Sequence, residues 1–299
     1  MKCLIFPWLR IFCLIALFPG VVAAQDLVSL AISGDLTALK EALPEDSQVD
    51  PETLTSPLFF AAQRGHEEVV TYLLSRGADP DSATRFGTAL GLSARNNHTG
   101  IVKALLDAGA DPNLPGGDDG RTALHHAAER GAIESARLLI EYGADVNVVS
   151  LRWDWPAIHF AAKKDRTEMV AFLREMGAGP EPVDALGPGE LEAADPEEGR
   201  FLVKYECGAC HGLVPGAVGK SNPPGPNLFE VVGRDKASLE DYPYSEAMKA
   251  QAGNWTPEEL NVYLADPLNV VPGTNMPRGR QTDRAARVAI IAYLTRLTR

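Results

Sequence analysis

Thr122-Ala123-Leu124-His125-His126-Ala127-Ala128-Glu129-Arg130-Gly131 runs straight into Ala132-Ile133-Glu134-Ser135-Ala136-Arg137-Leu138-Leu139-Ile140-Glu141-Tyr142-Gly143. The stretch reads as two helices joined by a turn. Ala127 and Ala128 are small enough for an inner helix to lie close to its neighbours. Leu138, Leu139 and Ile140 supply the apolar stripe of an outer helix. Gly143 falls just past that helix, where a left-handed cap is favoured. One such pair cannot bury its apolar face alone, so the unit must stack on copies of itself.

The copies are present. Gly77-Ala78-Asp79, Gly109-Ala110-Asp111 and Gly143-Ala144-Asp145 recur at intervals of 32 and 34 residues, and a decayed Gly177-Ala178-Gly179 follows 34 further on. The units ahead of them open at Ser56-Pro57-Leu58, Thr88-Ala89-Leu90 and Pro156-Ala157-Ile158. A weaker first copy covers about Leu27 to Leu43, with Ser33-Gly34-Asp35-Leu36 as its turn. The series closely resembles the ankyrin repeat, with about five copies over residues 25–179. The resemblance implies a solenoid without chemistry of its own that presents inner helices and loops to a protein partner. His125 and His159 hold the motif's histidine position and are expected to be hydrogen-bonding structural residues. Arg152-Trp153-Asp154-Trp155 falls at a finger tip. Exposed aromatics beside arginine suit an interface; packing of one tryptophan beneath the tip is the equal alternative.

Cys207-Gly208-Ala209-Cys210-His211 carries the chemistry. Two cysteines two residues apart, followed at once by histidine, form the attachment pattern of a covalent c-type haem. Each thiol adds across one vinyl group and the histidine meets the iron. A zinc site would need two further ligands at suitable spacing. A redox dithiol would sit in a βαβ setting, which this sequence lacks.

Lys2 and Arg10 are the only charges in the first 24 residues, and an apolar run from Ile11 to Ala24 ends on Val22-Ala23-Ala24. This predicts a secretory signal, residues 1–24, removed after Ala24, and export to the periplasm. The alternative is an uncleaved anchor, for which the run is short of the roughly 20 residues a span requires. Cleavage removes Cys3 and Cys13 and leaves Cys207 and Cys210 as the mature cysteines. The formal charge is −12, and residues 25–194 hold 27 acidic against 14 basic side chains. That balance argues against a nucleic-acid partner. Membrane contact is expected only through a partner or an uncleaved signal.

Residues 180–194 are rich in Pro, Gly, Ala and acid and read as a linker. Residues 195–299 form a second unit. A short helix over 197–207 leads into the pentapeptide, and a Gly/Pro-rich loop covers 215–228. Thr256-Pro257-Glu258-Glu259 opens a helix that stops before Pro267. A final helix covers 283–296. The unit resembles class I cytochrome c of the mitochondrial and alphaproteobacterial type. The resemblance is carried by Cys207–His211, Gly225-Pro226-Asn227-Leu228, Val232-Gly233-Arg234, Trp255, Tyr263-Leu264-Ala265-Asp266-Pro267, Pro272-Gly273-Thr274-Asn275-Met276 and Ala292-Tyr293-Leu294. The fold class implied is all-α, a solenoid followed by a small helical haem domain.

The resemblance implies one covalent haem c on Cys207 and Cys210, with His211 and Met276 as iron ligands. It gives the Pro226 carbonyl to the outer nitrogen of His211, and Arg234, Tyr244 and Trp255 to a haem propionate. Gly199 would let the first helix cross the last against Ile290 and Tyr293. Val203 and Arg278 depart from the family, each standing where an aromatic is usual. With both axial positions filled, the expected work is single-electron carriage with no catalysis, and the repeats dock a redox partner protein. The alternative is an ankyrin binding protein whose haem senses redox state or a small ligand.

Overall fold

The computed structural model describes residues 24–180, 182–219, 224–276 and 280–297. The expected signal peptide lies outside them except for Ala24, and Arg278 lies outside them too. Five helix pairs come first: α1 (Ala24–Ser33) with α2 (Leu36–Ala42), α3 (Pro51–Arg64) with α4 (Glu67–Ser75), α5 (Ala89–Arg95) with α6 (Thr99–Asp107), α7 (Ala123–Arg130) with α8 (Ile133–Glu141), and α9 (Ala157–Lys163) with α10 (Thr167–Glu175). Their facing sides share one continuous core from Leu27 to Ala178, including Leu58, Leu73, Leu105, Leu124, Leu139, Ile158 and Leu173. The only strands among the described residues are β1 (Ala83–Thr84) and β2 (Gly87–Thr88), an antiparallel finger between the second and third pairs.

The recurring Gly-Ala-Asp has a physical account. Gly77, Gly109, Gly143 and Gly177 all sit at φ between 88° and 95°, the left-handed cap that L side chains resist. Two residues past each aspartate, a side chain reaches across to the next repeat. Asp81 Oδ1 accepts the Asp111 N–H at 2.9 Å. Asn113 accepts from Asp145 N at 2.7 Å and donates to Gly143 O at 2.9 Å. Asn147 accepts from Gly179 N at 3.1 Å. The decayed fourth copy keeps its place because Gly179 supplies a backbone N–H, which needs no aspartate.

One boundary differs from the sequence reading. α3 begins at Pro51, six residues ahead of Pro57, which lies inside the helix. Asp50 caps it through Glu52 N at 3.0 Å, and Pro51 at the first position loses nothing because that N–H has no helical acceptor. At the finger tip between the fourth and fifth pairs, one tryptophan packs beneath the tip and the other keeps exposed surface. Trp155 packs inward, its ring 4.6 Å from His159 and 5.4 Å from Phe160. Trp153 remains 38% exposed beside Leu151 at 73%.

The second unit comprises α11 (Glu190–Ala193), α12 (Pro196–Leu202), a π-helical turn Val203–Cys207, α13 (Glu246–Lys249), α14 (Pro257–Ala265), α15 (Pro267–Val270) and α16 (Arg284–Arg296). Thr256 and Glu259 close a reciprocal capping box at the start of α14. α12 crosses α16 at Gly199. A Cβ there would lie 2.9 Å from Tyr293 Cβ and closer still to the Ala289 carbonyl. The neighbour is therefore Ala289 with Tyr293, where Ile290 had been expected. Val203 is fully buried beside this crossing, with Ile290, Ile291 and Leu294.

The stretch read as a linker is fastened to this unit. Arg284 donates to the Asp184 and Ala185 carbonyls at 2.9 Å each and pairs with Glu190 at 2.9 Å. Asn261 donates to the Asp184 carbonyl at 3.0 Å. Its composition is that of a linker, but the partners that hold it lie about 80 to 100 residues downstream.

Two outcomes follow. Gly199→Ala drives a methyl into backbone and should cost about 2–3 kcal/mol, read as a lower guanidinium midpoint with an unchanged slope. Burial holds His125, His126 and His159 neutral, with pKa values down to about 4, 3 and 3. The unfolded chain takes up protons near pH 6.5 that the native array refuses. Stability is therefore full well above pH 6.5 and falls between about pH 6.5 and 3, by up to about 1.4 kcal/mol per pH unit for each histidine. Urea midpoints at pH 7, 6 and 5 should show this slope, and His126→Gln should flatten it.

Candidate haem site

The attachment pentapeptide folds as one turn. The Cys207 carbonyl accepts the N–H groups of Cys210 at 3.0 Å and His211 at 2.9 Å. Cys207 is half-buried, Cys210 is exposed, and no disulfide joins them. Burial pushes the Cys207 thiol up to about 12, so it stays protonated.

His211 is oriented from behind. Its Nδ1 lies 2.7 Å from the Pro226 carbonyl. A carbonyl only accepts, so Nδ1 carries the proton and Nε2 keeps its lone pair. Burial holds the ring below the usual histidine range, which preserves that neutral form. The ring packs against Gly225, where an added Cβ would stand 2.6 Å from Nδ1; only glycine leaves the imidazole this place. The Pro226 segment is pinned in turn. Gly225 N donates to Cys210 O at 2.6 Å, Leu228 N donates to Gly212 O at 2.9 Å, and the Asn227 amide donates to Val214 O and Ala217 O at 2.8 Å each.

Arg234, Tyr244 and Trp255 lie near one another. A short antiparallel pairing joins Gly233 N to Trp255 O at 2.8 Å and Trp255 N to Arg234 O at 2.9 Å. The Arg234 guanidinium donates to Asn227 O at 2.7 Å and Phe229 O at 3.0 Å, so it braces the segment that orients His211. Burial raises the Tyr244 pKa, opposed by the nearby Arg234 charge. The Trp255 ring stands 4.9 Å from that of Tyr263.

Met276 sits at the end of a built loop. Thr274 N closes onto Val271 O at 3.0 Å around Pro272 and Gly273, the latter at φ 87°. Proline followed by a left-handed glycine is the signature of a type II turn. Met276 and Cys207 pack, partly buried, against the same apolar cluster of Val203, Val231, Leu260, Leu264, Ile290, Ile291 and Leu294. The attachment turn and the methionine therefore converge on one core.

Two residues outside the expected set help to hold this loop. Thr274 Oγ1 and Tyr263 OH are buried 3.1 Å apart, and Met276 N donates to Thr274 Oγ1 at 3.3 Å. The available signal was a tyrosine among Leu260 and Leu264 on a buried helix face, because a buried hydroxyl requires a partner.

The donor set suits haem iron: a neutral imidazole with its outer nitrogen committed, a thioether, and two free thiols. It does not suit calcium or magnesium, which take oxygen ligands.

Both units of the chain are similar to known proteins. A family model described as ankyrin repeats matches in three overlapping copies, at residues 27–116, 58–150 and 113–184. The chain is 41% identical over 105 residues to a cytochrome c-type cyt cy of Rhodobacter capsulatus, a match spanning 35% of this chain and 50% of that protein. It is 36% identical over 122 residues to a cytochrome c homolog of Bradyrhizobium diazoefficiens, spanning 40% of this chain and 62% of that one. Those two relatives are thus covered over about half to three-fifths of their length. The chain is also 39% identical over 109 residues to cytochrome c2 of Rhodopila globiformis, spanning 36% of this chain and 99% of that protein. The chain accordingly belongs to the ankyrin-repeat family through its N-terminal array and to the cytochrome c family, with haem c as its cofactor, through its last third.

Proposed function

We propose that this protein carries single electrons through one haem c, as an exported cytochrome whose ankyrin array docks it to a redox partner protein. Cys207 and Cys210 hold the haem, His211 and Met276 ligate the iron, and Pro226 sets the His211 tautomer. Arg234, Tyr244 and Trp255 face the propionate side. The observation that carries this reading is the shared core: Cys207 and Met276 pack on one apolar cluster, and His211 is already turned by its 2.7 Å bond to Pro226.

The haem supplies a reversible one-electron couple. The chain's part is to keep the surroundings the same in both states. His211 and Met276 would hold the iron through an imidazole and a thioether, a ligand pair that favours the reduced state. The buried Tyr263–Thr274 pair holds the loop that carries Met276, so electron gain requires little rearrangement. With both residues bound, the iron would offer no ready site to oxygen or peroxide, which separates this reading from a ligand sensor. Periplasmic placement is supported by the apolar leader ahead of Gln25 and by the thiol chemistry of the attachment turn.

The array's contribution is proximity. Holding a partner near the haem raises its effective concentration without a new contact at the haem itself. Phe86 (59% exposed), Leu151 and Trp153 stand out at the finger tips, where such a partner would engage.

Met276→Leu holoprotein should lose the methionine–iron charge-transfer band and bind carbon monoxide rapidly when reduced. Its potential should fall by on the order of 0.1–0.3 V, within the ~0.8 V that axial ligands span. A retained band would overturn the role of Met276, and rapid carbon monoxide binding by the wild type would favour sensing. Leu151→Ala with Trp153→Ala should slow reduction by the native donor about tenfold, a loss typical of an aromatic interface anchor, while spectrum and potential stay unchanged. Unaltered kinetics would remove the docking role from this tip.

A further inference from the structure

In the fourth repeat, Thr122 and His125 form a closed cap. His125 Nδ1 lies 3.1 Å from Thr122 N and 2.9 Å from Thr122 Oγ1, while Nε2 reaches the Trp155 carbonyl at 3.0 Å. One repeat later the same positions are Pro156 and His159. Proline has neither an N–H nor a hydroxyl, so His159 Nδ1 has no cap to close. It accepts the N–H of Gly273 instead, at 3.1 Å, with the imidazole fully buried. Gly273 belongs to the turn that precedes Met276.

The neighbouring contacts run the same way. Lys163 Nζ donates to Asn275 Oδ1 at 2.8 Å. Arg174 Nη2 donates to Asn269 O at 2.5 Å. A Cβ on Gly273 would stand 3.2 Å from Ala162 Cβ, so the turn lies directly on α9. Each contact starts from the last repeat, and each ends on the run Asn269–Asn275.

We propose that the terminal ankyrin repeat is the positioning element of the Met276 loop, with His159 its central residue and Lys163 and Arg174 its flanks. The inference rests on the reading that Met276 ligates the iron. The amide at the third position of a type II turn points away from the turn's own hydrogen bond, so once buried it needs an outside acceptor. His159 is that acceptor. The linkage is reciprocal: whatever holds the last repeat steadies the loop, and whatever loosens the repeat loosens the thioether's seat. A partner bound along the array is thereby coupled to the haem side through a single packed joint.

The test uses full-length holoprotein. His159→Phe keeps a buried ring and removes the acceptor. Pro156→Thr restores the cap of the fourth repeat and draws His159 Nδ1 back into its own helix. Both should speed exchange of the Gly273 amide, followed by NMR, about tenfold, the equivalent of about 1.4 kcal/mol, and should weaken the charge-transfer band on mild warming. Lys163→Ala with Arg174→Ala should shift both readouts less, in the same direction. Exchange in α7 and α8 should not change, which separates loop release from unfolding of the array. If His159→Phe fails to fold, Pro156→Thr decides. Wild-type exchange and an undiminished band in Pro156→Thr would overturn the inference and leave the proposed function intact. A wild type without the band would remove the ligand role of Met276, and Gly273 exchange would then still report whether the repeat holds the loop.

Discussion

A single proton on His211 Nδ1 orders the haem domain. Its 2.7 Å bond to the Pro226 carbonyl fixes which ring nitrogen keeps its lone pair and how the ring is turned. That bond requires a carbonyl held still in a stretch with no helix or strand. The chain meets the requirement with Asn227, whose amide ties down Val214 and Ala217, and with Arg234, which grips the carbonyls of Asn227 and Phe229. Gly225 leaves room for the ring. Arg234 in turn is placed by its pairing with Trp255. The bonds made by Asn227, Arg234 and Trp255 can be understood as support for one hydrogen bond.

The array solves a different problem by repetition. Each helix pair is too small to bury its own face, so the core is continuous from one end to the other. Along the finger side, Asp81, Asn113 and Asn147 add a ladder of side chain to backbone bonds, one repeat to the next. The ladder fixes spacing where the apolar core cannot, because hydrophobic contact is not directional. The last rung lands on Gly179, and the chain passes from there into the haem domain.

What was legible in the sequence was local or periodic. Gly-Ala-Asp at 32 to 34 residues marks the repeats because left-handed glycine is a strict requirement. Thr256-Pro257-Glu258-Glu259 marks a helix start because capping acts within four residues. Cys207–His211 marks the cofactor because the chemistry lies within one turn. What stayed hidden was long-range, except for the local start of α3. The early start of α3 depends on Asp50 capping a helix that tolerates Pro57 within it. The fastening of residues 184–190 depends on Asn261 and Arg284, far downstream. Tyr263 and Thr274 find each other only when α14 and the Met276 loop fold together. His159 was legible only as a motif histidine, expected to be a hydrogen-bonding structural residue like His125. The partner it meets lies 114 residues away.

Synthesis runs from the N-terminus, and domains fold in that order as they emerge. The repeat that receives Gly273 lies wholly ahead of residue 195 in the chain, so it emerges before the haem domain does. The haem domain therefore matures beside a finished surface, with the acceptor nitrogen of His159 already set in a rigid helix by its neighbours. The loop carrying Met276 comes last but for α16 and has a mould waiting for it. An isolated cytochrome domain must find that loop's shape unaided, whereas here the chain supplies it in advance.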